Sequence, residues 1–174
     1  MPLTATDIRA AFAALASELE RSGQEAEIVV AGGAALVLLF GARTTTKDVD
    51  AYFLPPNPSA VRTAAAHVAS QLGLPHDWLN DAAKGYFVTV TTGEVLYTAP
   101  SLVVRAASIP QLFAMKLAAW RDAIDRDDAR LLLVRMRGSR EDIWKQTESL
   151  VPRNDLQKAS YAFDDLWESV HGFS

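Results

Sequence analysis

Two glycines and two aspartates carry the first chemistry that this chain suggests. Gly32 and Gly33 follow the β-branched run Ile28-Val29-Val30-Ala31, and the apolar run Ala34 to Phe40 comes next. That order predicts a buried strand, a diglycine turn and a short helix. Paired glycines let backbone approach a ligand closely, and the unpaired N–H groups of a helix N-terminus suit an anion. Arg43, Thr46, Lys47, Asp48, Val49 and Asp50 then lead into Ala51-Tyr52-Phe53. On a strand running to about Leu54, Asp48 and Asp50 would share a face while Val49 turns into a core. Two carboxylates beside a phosphate-holding turn make a seat for Mg²⁺ carrying a nucleoside triphosphate. Taken singly, Gly-Gly is often only a tight turn, and Asp-x-Asp is common at an exposed strand end. Their order and separation give the set its meaning.

A second group lies further on. Lys116 stands among Leu112, Met115, Leu117, Ala118 and Ala119, on a helix that Ser108 would cap with Pro110 in its first turn. Alone, it reads as a lysine with its stem covered and its head in water. The functional alternative is a cation that holds triphosphate oxygens. Arg121 to Arg130 mixes both charges densely, and Leu131-Leu132-Leu133-Val134 follows. As a bare pattern, that segment is a solvated charged face.

These residues resemble the nucleotidyltransferase superfamily, the polymerase-β-like minimal fold, whose signature is Gly-Gly or Gly-Ser followed after a gap by Asp-x-Asp. The nearer likeness is to the bacterial toxin-type branch, the AbiEii-like and MenT-like proteins. It rests on Gly32-Gly33-Ala34-Ala35-Leu36, Arg43, Thr46, Lys47 and Asp48-Val49-Asp50, then on Lys116-Leu117-Ala118-Ala119, and on Asp125-Arg126-Asp127-Asp128 before Leu131-Leu132. It covers roughly residues 26–135. The resemblance implies a nucleotidyltransferase that moves a nucleoside monophosphate from a triphosphate to an acceptor. Asp48 and Asp50 would hold Mg²⁺, and Gly32, Gly33, Arg43, Thr46 and Lys116 would hold the nucleotide. Asp128 would join Lys116 in the catalytic set, with Asp125 and Asp127 as further candidates. A toxin of a toxin–antitoxin pair acting on the 3′ end of tRNA is the implied role, with a cognate antitoxin as partner. The alternatives are a nucleotidyltransferase antitoxin that modifies a partner toxin protein, and a degenerate module that binds nucleotide or partner without chemistry. A third carboxylate, frequent in the superfamily, is missing from the runs Tyr86–Thr92 and Leu102–Ala106, so Asp81, Glu94 or Asp128 would have to substitute.

Several elements must position these groups. Ile8, Phe12, Leu15 and Leu19 recur at helical spacing after a cap at Thr4 or Thr6. Pro55-Pro56-Asn57-Pro58 stops the aspartate strand, and a Ser59-capped helix follows with Val61, Ala65, Val68 and Leu72 on its apolar face. His76 to Gly85 predicts a short helix, with Trp78 and Leu79 in the core. Tyr86–Thr92 and Glu94–Thr98 predict a hairpin turning at Thr92-Gly93, and Leu102–Ala106 a further strand. Helices follow from Ser139, and from Asn154 or Asp155. The expected class is α+β: a small mixed sheet of about five strands with helices packed on it. It would form one domain over 1–174, with a C-terminal helical extension over 139–172.

A chain of 174 residues can bury a full core, and its 49% hydrophobic and 22% charged content is that of an ordinary globular domain. Its net charge of −4 provides no global basic field for nucleic acid or membrane. Without cysteine, disulfides and thiol chemistry are excluded. His67, His76 and His171 lack metal-ligand spacing with a carboxylate. Neither a leader nor an apolar run of membrane-span length is present, so a cytoplasmic location without membrane contact is expected. A Rossmann-type dinucleotide site is excluded, because Gly32-Gly33 lacks the later spaced glycine of that fingerprint.

Overall fold

The computed structural model describes residues 1–172 and is an α+β protein. Contacts divide the chain into two compact units, one formed by Met1–Lys84 with Thr92–Ala107, the other by Gly85–Thr91 with the chain from Ser108 onward.

The first unit is built on a five-stranded mixed sheet. Its strands are β2 (Ala26–Val30), β4 (Val49–Phe53), β5 (Leu79–Asn80), β6 (Thr92–Ala99) and β7 (Leu102–Ala107). They lie in the order β5-β4-β2-β7-β6. β2 runs antiparallel to β4 and parallel to β7, β4 is parallel to β5, and β6 is antiparallel to β7. The register Ile28↔Phe53 and Ile28↔Val104, with Val30↔Ala51 and Val30↔Ala106, puts these buried residues on one face. Helices α1 (Ala5–Arg21) and α3 (Pro58–Leu72) pack against each other. Phe12 of α1 meets Tyr97, the register partner of Val104, so α1 covers that face. Thr4 caps α1 through a full capping box with Asp7. α2 (Gly32–Phe40) follows β2 at once and ends at Gly41. A second, two-stranded sheet pairs β1 (Leu3–Thr4) with β3 (Thr45–Thr46).

Four local expectations are corrected. Asn57, not Ser59, stands at the N-cap of α3, and Pro58 opens its first turn. Residues 76–85 do not form a helix; Leu79 and Asn80 join β4 as a two-residue strand, and a 3-10 turn runs over Ala82–Tyr86. Trp78 and Leu79 are nonetheless core, the Trp78 indole donating to Ala65 O at 3.0 Å. The hairpin is β6–β7, turning at Pro100-Ser101, and residues 87–91 carry no strand. Leu72 is 42% exposed instead of packed, because α3 ends there at Gly73.

The second unit is helical: α4 (Ile109–Ala119), α5 (Ala123–Leu133), α6 (Arg140–Glu148) and α7 (Leu156–His171). α4 packs on the other three. Phe113 of α4 meets Phe163 of α7 edge-on at 6.2 Å, and Trp144 of α6 stacks on the same ring at 5.2 Å. Asp122 caps α5 and Ser139 caps α6 by accepting from backbone N–H groups.

Candidate functional site

In the first unit the site is assembled at one end of the sheet. β2 ends at Val30, and the antiparallel register places the start of β4 beside that end, Ala31 N–H donating to Asp50 O at 2.8 Å. The chain turns through Gly32 with φ +62°, a conformation that side-chain-bearing residues rarely adopt. A methyl group on Gly32 would lie 3.2 Å from Asp50 Oδ2. One on Gly33 would lie 3.0 Å from Thr46 Oγ1 and 3.1 Å from Arg43 Nη1. The diglycine is therefore closed in by a carboxylate, a hydroxyl and a guanidinium. No side chain caps the N-terminus of α2, where the helix dipole favours negative charge.

Asp48 sits one residue ahead of β4. Val49, between the two aspartates, is fully buried, whereas Asp48 and Asp50 are half-buried, as alternation along an extended segment requires. Val49 N–H donates to Trp78 O at 2.7 Å, tying this end of β4 to β5. Burial raises the pKa of Asp48 above the usual carboxylate value; Lys47 opposes the shift and Asp77 adds to it. Thr46 Oγ1 donates to Asp48 O at 3.2 Å. Gly32, Gly33, Arg43, Thr46, Asp48 and Asp50 thus form one neighbourhood.

Lys116 belongs to the second unit, on the last turns of α4. Its ammonium lies 2.9 Å from Asp125 Oδ1 and 2.8 Å from Asp128 Oδ2. Both carboxylates are buried, at 2% and 5% exposure, so the solvated-face reading fails for them. Asp125, Asp128, Ala129 and Leu132 form the inward stripe of α5, and Asp127 and Arg126 are exposed. Arg121 adds its Nε and backbone N–H to Asp125 Oδ2 at 3.1 and 3.0 Å. Burial would raise the Asp125 pKa, but the hydrogen bonds from Arg121 and Lys116 outweigh it and hold the group at about 2. Lys116 therefore has its head in a buried ion cluster, not in water.

The three substitutes for a third carboxylate have other settings. Asp81 is paired with Arg62 at 2.5 Å, Asp128 with Lys116, and Glu94 is exposed on β6. One neighbour of the aspartate pair, Asp77, escaped the sequence reading; it acts electrostatically on Asp48. Asn80, which the sequence offers either for the cleft or as a cap, lies level with Asp50 in the β4–β5 register, its Oδ1 accepting from Ala82 N–H at 3.0 Å. Both depend on a two-residue strand too short to leave a periodic signal.

Among the described residues, no three Asp, Glu or His side chains gather closely enough to hold a metal ion by themselves. Comparison with family models, curated proteins and solved structures finds no match to this chain.

Proposed function

We propose that this protein is a Mg²⁺-dependent nucleotidyltransferase that moves a nucleoside monophosphate from a triphosphate to an RNA acceptor, in keeping with the toxin-type resemblance. One observation carries the reading: the Asp50 carboxylate, the Thr46 hydroxyl and the Arg43 guanidinium all close on Gly32-Gly33 at the head of α2.

Each group has a role there. Gly32 and Gly33 admit phosphate oxygens to the backbone, and the first N–H groups of α2 donate to them. Thr46 can turn its hydroxyl from Asp48 O to a phosphate oxygen. Arg43 adds a planar cation. Asp48 and Asp50 fit Mg²⁺, a hard ion that takes one or two carboxylates and completes its shell with water and substrate phosphate. Held there, such an ion would supply charge neutralisation on the triphosphate. In the reaction, the acceptor hydroxyl oxygen bonds the α-phosphorus and the bond to the β-phosphate oxygen breaks. Pyrophosphate leaves, and the hydroxyl proton passes to solvent. Lys116 with Asp128 remains part of the reading by resemblance alone.

The test incubates the protein with each labelled nucleoside triphosphate, Mg²⁺ and total tRNA. Label is expected on RNA, and Asp48→Ala is expected to abolish it with the folded state retained by circular dichroism. Transfer that survives in Asp48→Ala ends the metal assignment. Label on a co-purified protein would support the antitoxin alternative. A non-catalytic nucleotide-binding module is the second reading, favoured by the commitment of Asp81 to Arg62 and of Asp128 to Lys116. It predicts nucleotide binding with no transfer to any acceptor.

A further inference from the structure

We propose that the second unit carries a stacking site for an unpaired nucleobase of single-stranded RNA, in the groove between Trp120 and Tyr161. The choice of RNA rests on the acceptor named above.

The groove has a volume of about 580 Å³ and is lined by Trp120, Gln157, Lys158, Tyr161, Ala162 and Asp165. It is thus within the size range of small-ligand sites, roughly 300–1,000 Å³. Trp120 ends α4 with φ +37° and ψ +50°, making it the one non-glycine residue among those described that has a positive φ. Glycine usually takes that position, as it does at Gly41 and Gly73. A tryptophan there bears strain that glycine would not, and gains a half-exposed indole at the groove. Tyr161, on α7, is 66% exposed.

The surrounding charges suit a nucleotide. Arg126 sets its guanidinium over the Trp120 ring, 5.5 Å from its centre, so one face of the platform already carries a cation. Lys158 holds the turn by donating to Ala119 O at 2.6 Å, which leaves two of its three donors for a phosphate. Arg121, next to Trp120, keeps 74% of its side chain exposed. Asp165 can accept from an exocyclic amino group, and the Gln157 amide can donate or accept. Aromatic platforms with cations at the rim are how proteins hold single strands with little sequence preference. A duplex presents no free base face to such a groove.

The experiment measures anisotropy of a fluorescein-labelled ten-nucleotide RNA, as a single strand and annealed to its complement, without nucleoside triphosphate. Wild type should prefer the single strand. Trp120→Gly should weaken single-strand binding about five- to a hundred-fold, the effect of losing one stacked base. Glycine suits this backbone, so the variant should keep its melting temperature. Tyr161→Ser, at an exposed site, should weaken binding several-fold. Wild-type binding that is undetectable, equal for the duplex, or unchanged in both variants overturns the proposal, as it would if a protein occupied the groove. The outcome is separable from the transfer reading: strand binding that depends on Trp120 in a protein without transfer activity would uphold the groove and remove the enzyme. Transfer by the wild type, with single-strand binding unchanged in both variants, would do the reverse.

Discussion

At Gly32 and Gly33 the space for one carbon atom decides the consequence of substitution. Gly32→Ala forces a side chain into positive φ and against Asp50 Oδ2. It should cost about 1–2 kcal/mol of stability, measured by urea unfolding. Gly33→Ala differs, because that position is helical and the crowded atoms are the ends of Thr46 and Arg43, which can swing aside. Its stability should stay within about 1 kcal/mol of wild type, since alanine favours the helix by that order. Its affinity for nucleoside triphosphate, measured by calorimetric titration, should fall at least several-fold. These six neighbours could be foreseen because each is close in sequence to the turn or to the strand that pairs with it. Asp77 could not, since its effect on Asp48 needs the β4–β5 pairing.

The α4–α5 pair is held by charge as much as by packing. Lys116→Met would remove the ammonium that joins Asp125 and Asp128. Breaking a buried pair this way should destabilise the protein by about 3 kcal/mol or more in urea unfolding. The same cluster sets an acid limit. The Asp125 pKa is held at about 2 against an ordinary 3.8, so the folded state binds this proton less readily than the unfolded chain. Stability from this group is therefore complete above the ordinary value and is lost as pH falls toward 2, on the order of 2 kcal/mol in all. Unfolding free energies between pH 5 and 2 should show that loss in wild type and lack it in Asp125→Asn. Helices were the readable elements: the spacing of Ile8, Phe12, Leu15 and Leu19 and the caps at Thr4 and Ser108 all describe real features. The hairpin was misplaced for a physical reason. Irregular register between Thr92 and Val95 and between Val95 and Tyr97 disrupts alternation in β6, while Tyr86–Thr92 alternates with no strand to pair.

For the molecule as a whole, periodicity gave helices with about five strands, and the resemblance implied a mixed sheet; neither fixed which segments supply its edges. No helix among the described residues is long and apolar enough to cross a membrane. A net charge of −4 gives any RNA contact only local cations to use. With Lys158 and Arg126 at the groove, single-strand affinity should fall with salt on a logarithmic slope of about −1.4, at about −0.7 per phosphate neutralised. A titration from 50 to 300 mM salt measures it, and a much steeper slope would point to a wider basic surface.

The pairing of β1 with β3 has a practical consequence. Leu3 lies opposite Thr46 and Thr4 opposite Thr45, and Leu3 is almost fully buried. The hydroxyl beside Gly33 is thus braced by Leu3 and Thr4. Deleting those two residues would remove both the brace and the α1 cap. Recombinant protein for nucleotide work should therefore keep Leu3 and Thr4 in place.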